Sequence, residues 1–483
     1  MTTLPSANDF LLIAPELFLL GMICAVLVID VFLSDVQRNV TYWLAQFTLA
    51  ATAALVLIVD PGVRVVAFAG TFVSDPLAVL LKLFVLGVTI AVFVYSRPYM
   101  RERDLFRGEY FVLGLAGVLG MLVLISAHSL LTIYLGLELM SLSLYAMVAF
   151  QRDSRRASES AMKYFVLGAL ASGLLLYGMS ILYGLTGSLD ITAISAALVQ
   201  SSHPSLAVGL AVVFVVAGLA FKLGAVPFHM WVPDVYEGSP TSVTLYLGTV
   251  TKIAAFAMVM RLLVEALPST HMQWSGMLEL LVILSLAVGN IVAIAQHSIK
   301  RMLAYSTISH VGFVFMGIFA GTDNGYAAAM FYVLTYALMS AGAFGMVTLL
   351  SRKGFEAENL EDFKGLNERS PWLAFIMLLL MFSMAGVPPT VGFYAKLVVL
   401  QAVVQVNQPW LALYAVIMSV IGAFYYLRAI KYVYFDKAED ETPLRPGLDV
   451  GVVMSANGLA MLALGVLPGA LMAYCAAAVA GLQ

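Results

Sequence analysis

The chain has 483 residues, 62% hydrophobic and only 11% charged, with a mean hydropathy of +0.96 and a net charge of −3. Soluble domains carry roughly 25% charged residues, so the composition excludes a soluble protein and predicts an all-α polytopic membrane protein. The small negative charge implies no surface for nucleic acid.

A membrane-crossing helix needs about 20 apolar residues, and about fourteen candidate spans can be placed along the chain. The first covers 11–33. It lacks a basic flank and a small-residue cleavage site, so it reads as a membrane helix and not a removed signal peptide. The others follow at 41–59, 76–96, 110–126, 129–150, 160–184, 206–228, 240–265, 276–295, 300–320, 326–350, 372–402, 410–434 and 448–477. The loops are short, and none could form a separate soluble domain. Three carry clustered charge: SRPYMRERDLFRGE, SRKGFEAENLEDFKGLNERS and FDKAEDETPLRPG. Cys24 and Cys475 each stand alone in apolar stretches, without the spacing of an iron–sulfur, haem or zinc site.

Basic residues orient the chain. Eighteen of the 25 Lys and Arg fall at odd-numbered loops, and only Arg64 and Arg261 on the opposite side. The positive-inside rule then makes the odd loops cytoplasmic and places both termini outside. The remaining five basic residues, Lys82, Lys163, Lys222, Lys252 and Lys396, fall within spans.

Charge inside a span is costly, and such residues usually face a bundle interior or water. Lys82 is close enough to a span end to snorkel to the interface. Two readings stand for Lys163: an ordinary i,i+4 pair with Glu159, or part of a buried path. Lys222, Lys252 and Lys396 lie deeper, each with a glycine four residues earlier (Gly218, Gly248, Gly392), which could leave room for the lysine stem. Glu138 is the acid nearest the middle of a span. Asp30, Glu16 and Glu279 sit near span ends and can reach the interface. Glu138 needs a cationic partner, for which Lys222 is the candidate; otherwise it is protonated and satisfied by Ser141 or Tyr134.

Among the histidines, His310 falls near the midplane and His229 follows the apolar run that holds Lys222. Histidine titrates in the range that passes protons, although a hydrogen bond from Ser306 or a carbonyl would also explain a buried His310. His203 and His271 belong to loops, and His128 and His297 to span ends.

LGAVP (223–227) and AGVPP (385–389) interrupt the seventh and twelfth apolar runs. Gly224, Pro227, Gly386, Pro388 and Pro389 are the helix-breaking residues. Broken spans at corresponding positions mark an internal repeat, and the odd separation of five spans makes it inverted. Helices four to eight (110–265) would then match helices nine to thirteen (266–435), flanked by a three-helix segment (1–109) and a final helix (436–483). Broken backbone is tolerated where it lines a wet cavity; two packing kinks are the plainer alternative. A lysine beside such a break can take up a proton from water, and an approaching or departing carboxylate switches its hold on that proton. No Walker A motif supplies energy, and GLAGVLG (114–120) lies inside a span, where close helix packing explains it.

FKLGAVPFHMWVPDVYEGSPTSVT, QHSIKRMLAYSTISHVG, LGLELMSLSLY and SMAGVPPTVGFYAK together resemble the subunit N family of proton-pumping NADH–quinone oxidoreductase, respiratory complex I, over nearly the whole chain. The resemblance implies a fourteen-helix fold with two inverted five-helix repeats, broken helices 7 and 12, and a charged line along the membrane plane. It places a Glu–Lys pair at Glu138 and Lys222, connecting positions at Lys163, His229, Lys252 and His310, and a distal lysine at Lys396. It implies no catalytic redox centre in this chain: NADH, FMN, iron–sulfur clusters and quinone belong to neighbouring membrane-arm and peripheral subunits of a hetero-oligomer. The implied location is the lipid of a bacterial inner membrane. A Mrp-type sodium/proton antiporter subunit is the alternative. A small-metabolite transporter is a third reading, for which no extra binding residues stand out.

Overall fold

The computed structural model describes residues 6–200, 206–438, 444, 446–480 and 482; His203 and much of the charged segment at 439–445 lie outside them. Among the described residues, 13 helices are long and apolar enough to cross a membrane. The broken twelfth span adds the fourteenth crossing as two 15-residue halves, Pro371–Ala385 and Val391–Gln405. The eighth span (Thr241–Val259, continuing as a π-helical turn to Ala266) and the eleventh (Asp323–Leu350) are almost wholly enclosed and pack on each other at the centre. A helix apolar on every face belongs there.

Local chemistry sets many boundaries. Asp75 caps the third span (Pro76–Arg101) by accepting from the Ala78 amide at 2.8 Å, and Pro76 follows at the first helical position. Gly187 ends the sixth span (Arg155–Thr186) in the left-handed conformation. Three departures from the expected spans have physical causes. The sixth is longer than 160–184, because Ser154 caps it at Ala157. The fourteenth is not continuous over 448–477: Pro468, lacking an amide hydrogen, separates Leu448–Val466 from Gly469–Val479. The 60–75 connection holds a two-stranded hairpin, Val65–Ala67 against Phe72–Ser74, whose Val73 amide donates to Ser126 O at 2.8 Å. GLAGVLG is a packing surface: a Cβ on Gly120 would stand 2.4 Å from the Met140 nitrogen, and one on Gly114 2.7 Å from the Phe93 ring.

The chain carries matched contacts. The Leu130 amide donates to Leu189 O at 2.9 Å, and that of Ile299 to Glu358 O at 2.8 Å; Ser129 bridges Asp190 as Ser298 bridges Asn359. Each second member stands 169 residues after the first (129 to 298, 190 to 359). The approach of Gly120 to Met140 recurs at that offset, where a Cβ on Gly289 would stand 2.6 Å from the Ser309 nitrogen. The first clasp lies where the fifth span (Leu130–Val148) begins and the second where the tenth (Ile299–Phe319) begins. Five crossings separate them, so they sit on opposite membrane faces and the repeat is inverted.

Candidate functional site: two broken helices and the lysines at their ends

The two breaks have one backbone design. The first half of the seventh span, Leu206–Leu223, stops at Gly224 with φ +83°, and the first half of the twelfth at Gly386 with φ +86°. The amides of Gly224 and Ala225 both return to Ala220 O, at 2.9 and 2.8 Å; those of Gly386 and Val387 both return to Phe382 O at 2.9 Å. Glycine supplies the left-handed residue that such a helix ending needs. The Val226–Pro227 and Pro388–Pro389 bonds are both cis. The second half of the seventh span is a short helix, Trp231–Gly238, so the helix ends earlier than the predicted residue 228.

Each half-helix ends on a lysine. Lys252, from the eighth span, donates to Leu223 O at 2.8 Å and lies 5.3 Å from the centre of the Trp231 ring. Lys396, from the second half of the twelfth span, donates to Ala385 O at 2.9 Å and lies 5.3 Å from the centre of the Phe313 ring. In both cases the accepting carbonyl belongs to the residue just before the breaking glycine. Helix C-terminal carbonyls carry partial negative charge, and a break exposes them within the protein. The arrangement therefore holds two ammonium groups at the helix breaks, without a carboxylate on either among the described residues.

Lys222 is the third of the deep lysines read from the sequence, but it does not form the expected direct ion pair with Glu138. Its ammonium donates to Ser141 Oγ at 2.9 Å, and that hydroxyl donates onward to Leu137 O at 2.6 Å. Glu138 stands one helical turn before Ser141, with Oε1 buried and unpartnered. The charges still act on one another through space: Glu138 on Lys222, Lys222 on Lys252, and Lys396 on His310. His310 sits 2.8 Å from Tyr332 Oη through Nδ1 and 3.1 Å from Tyr426 Oη through Nε2. Ser306, the simple partner considered from the sequence, instead lies 2.5 Å from Tyr426 Oη. His229 lies in the first break, with Nδ1 unpartnered.

Lys163 is not brought into the interior. Its side chain is 44% exposed and pairs with Glu159 at 3.0 Å and Asp234 at 2.9 Å, as the i,i+4 spacing anticipated. Asp234 and Glu237 also take Arg301, at 3.0 and 2.9 Å. The glycines preceding the three deep lysines do not make room for their stems. A Cβ at Gly218 would meet Leu175, one at Gly248 would meet Phe344, and one at Gly392 the Ser383 backbone, so neighbouring chain fills that space.

Two buried ion clusters escaped the sequence reading. Lys82 does not snorkel, and Glu16 does not reach the interface: they pair at 2.5 Å with side chains 5% and 3% exposed. Arg261 is fully enclosed, meets Asp75 through two hydrogen bonds at 2.7 and 2.9 Å, and pairs with Glu265, which also takes Arg64 at 2.5 Å. The i,i+4 spacing of Arg261 and Glu265 was a usable signal; the Asp75 partner, across 186 residues, was not. Among the described residues, no group of three or more His, Cys, Asp or Glu could hold a metal ion.

The family described as NADH:quinone oxidoreductase/Mrp antiporter, TM, matches residues 127–422. NADH-quinone oxidoreductase subunit N of Thioalkalivibrio sulfidiphilus is 64% identical over 98% of both chains. That of Thiobacillus denitrificans is 59% identical over 96% of both. A chain of respiratory complex I from Thermus thermophilus, solved with bound aureothin, superposes with a TM-score of 0.82 at 32% identity, covering 96% of this chain and 100% of that one. A chain of the Mrp complex from Dietzia sp. superposes with a TM-score of 0.86 at 22% identity, covering 99% and 98%, which shows a shared fold.

Proposed function

We propose a proton path through this chain, which belongs to the NADH-quinone oxidoreductase subunit N family, a bacterial multi-pass membrane subunit of complex I with the antiporter-like fold. The path runs from Glu138 and Lys222 through Lys252 to His310 and Lys396. His229 stands at the first break, and Lys163 at the lip on the basic-residue side. The halves of the path coincide with the two repeats, 110–265 and 266–435, and both termini lie on the periplasmic face.

The observation that carries this reading is the placement of Lys252 and Lys396 on the carbonyl ends of the two half-helices. A carbonyl holds an ammonium by dipole alone, so the bound proton is stabilised without being trapped by a full opposite charge. Lys222 is held by a hydroxyl, with the Glu138 charge nearby to strengthen or relax its grip. A change in that carboxylate alters Lys222, and Lys222 in turn repels the Lys252 charge. Carrying one charge against 100 mV costs about 2.3 kcal/mol. The energy comes from redox chemistry in partner subunits, where NADH, FMN, iron–sulfur clusters and quinone reside; this chain is a non-redox part of the translocase. Other membrane-arm subunits and lipid cover its outer faces.

Sodium/proton exchange of the Mrp type is the competing reading. Identity of 64% over nearly the full length to a subunit N chain favours the first. The test is Glu138→Ala and Lys222→Ala in the assembled complex. Proton translocation coupled to NADH oxidation falls, with assembly retained. Unchanged pumping by assembled variants would refute the path, and sodium-dependent exchange in place of coupled pumping would favour the competitor.

A further inference from the structure

The ends of three helices meet on the basic-residue face around Arg97 and Arg101. The two arginines stand one helical turn apart at the end of the third span. Both donate to one oxygen, Oδ1 of Asn39 at the start of the second span (Asn39–Ile58), Arg97 doing so at 3.1 Å. That oxygen has two lone pairs, and both are taken. Arg97 also pairs at 3.3 Å with the exposed carboxylate of Asp449, at the start of the fourteenth span. Its Nε is buried and has no hydrogen-bond partner. Other carboxylates nearby have cations of their own. Asp35 and Glu109 lie 2.7 and 3.8 Å from Arg38, and Asp104 shares the adjoining cavity with Arg107. Among the described residues, two guanidinium groups therefore meet one carboxylate, and they repel one another. Excess positive charge at a membrane surface attracts an anion.

The surroundings say which kind of anion. The Arg97 guanidinium lies over the rings of Tyr42 and Trp43, 4.6 and 5.7 Å from their centres. Trp43 is exposed, and so is Phe47, one turn further into the membrane on the second span. On the other flank Val452, three residues beyond Asp449, is exposed as well. An aromatic ring at headgroup level with apolar side chains below it is how a membrane protein meets the lipid interface. Guanidinium groups offer paired donors that match phosphate oxygens. The adjoining cavity, about 430–630 Å³ smaller than no lipid head requires to enter, is lined in part by Asn39 and Arg101 and leaves room for a polar headgroup. A free phosphate would satisfy the arginines and leave the apolar flank bare. A phospholipid satisfies both, and a single negative charge balances two guanidinium groups against one carboxylate.

We propose that Arg97, Arg101 and Trp43 form a binding site for an anionic phospholipid, with its phosphodiester on the two guanidinium groups and its acyl chains against Trp43 and Phe47. The site lies apart from the proposed proton path, so neither reading depends on the other.

The test uses the assembled complex in nanodiscs of phosphatidylethanolamine with a trace of phosphatidylglycerol that carries a diazirine in one acyl chain. After illumination, mass spectrometry reads the labelled peptides. The peptide holding Trp43 and Phe47 is expected to be labelled. A phosphatidylethanolamine probe with the same acyl chain should label it roughly fivefold less, the effect of one charge at a membrane surface. Arg101→Gln should lower labelling by phosphatidylglycerol roughly fivefold, and Arg97→Gln with Arg101→Gln further. Arg155→Gln, at an exposed arginine on the same face, should leave it unchanged. Arg101 is itself exposed, so its single variant retains assembly and carries the test if the double variant does not assemble. Equal labelling by the two probes would overturn the site, as would native labelling in Arg101→Gln. Loss of labelling on adding millimolar inorganic phosphate at constant ionic strength would overturn the lipid in favour of free phosphate.

Discussion

Replacing Gly386 by alanine strikes the second break at its most constrained point. The residue has φ +86°, where an L side chain costs about 1–2 kcal/mol. The added Cβ would stand 2.9 Å from Lys396 Cδ and 3.3 Å from Nζ. It therefore pushes the ammonium off Ala385 O, where it now donates at 2.9 Å. A hydrogen bond from a charged group contributes roughly 1.5–3 kcal/mol, and the lower end applies because Lys396 is only partly buried. The expected loss is about 3 kcal/mol, the sum of strain and displaced contact. Gly87→Ala is the control. Nothing lies within 4 Å of its Cβ, and in a helix interior alanine is better than glycine by up to about 1 kcal/mol. Thermal unfolding of the detergent-solubilised complex reads both. Gly386→Ala should unfold at a clearly lower temperature and pump fewer protons, while Gly87→Ala matches or exceeds the native protein. Equal unfolding temperatures for the two variants would sink the account of the break.

Asp75→Asn leaves the enclosed Arg261 with Glu265 as its one carboxylate among the described residues, and breaking a buried pair costs roughly 3–5 kcal/mol. Arg64→Ala, at a site 30% exposed, should cost no more than about 1 kcal/mol in the same unfolding assay. Ser141→Ala removes the acceptor of Lys222 and should destabilise by about 1–3 kcal/mol, whereas Ser143→Ala, whose hydroxyl only returns to Leu139 O, should be near neutral. For orientation, single cysteines at Leu189 and Lys353 in a Cys24→Ser chain should react with an impermeant reagent from opposite faces, the periplasm for the first and the cytoplasm for the second. Labelling of both from one face would contradict the assigned topology.

What the sequence made legible was written in local chemistry. Apolar runs mark the crossings because lipid tolerates nothing else, and glycine with proline marks the two breaks because each fails to continue a helix for its own steric reason. Lysine at mid-depth is equally conspicuous, since the bilayer makes it costly. Partner choice was not legible, because it depends on how helices rotate against one another. Charge and the family resemblance both pair Glu138 with Lys222, yet Ser141, one turn on, receives the ammonium. Glu16 and Lys82 each had a plausible escape to the interface, and only the packing of the first span on its neighbours joins them. The glycines before the lysines misled for the same reason: their missing side chains admit other helices, not the lysine stems.

The repeat explains why the two lysines arrive at equivalent places from different origins. Gly224 and Gly386 are matched, and so are the half-helix ends they create. Yet Lys252 reaches the first end from the next helix, whereas Lys396 reaches the second from beyond the break in its own span. The matched backbone design does not dictate that outcome; the exposed carbonyls do, since each offers the same partial negative charge to whichever ammonium can reach it. The 169-residue offset between clasps (129 to 298) likewise sets Ser141 opposite His310. One receives the Lys222 ammonium, and the other stands in the field of Lys396 between two tyrosine hydroxyls. A common scaffold therefore presents a plain hydroxyl in one half and a titratable ring in the other, although their backbones agree.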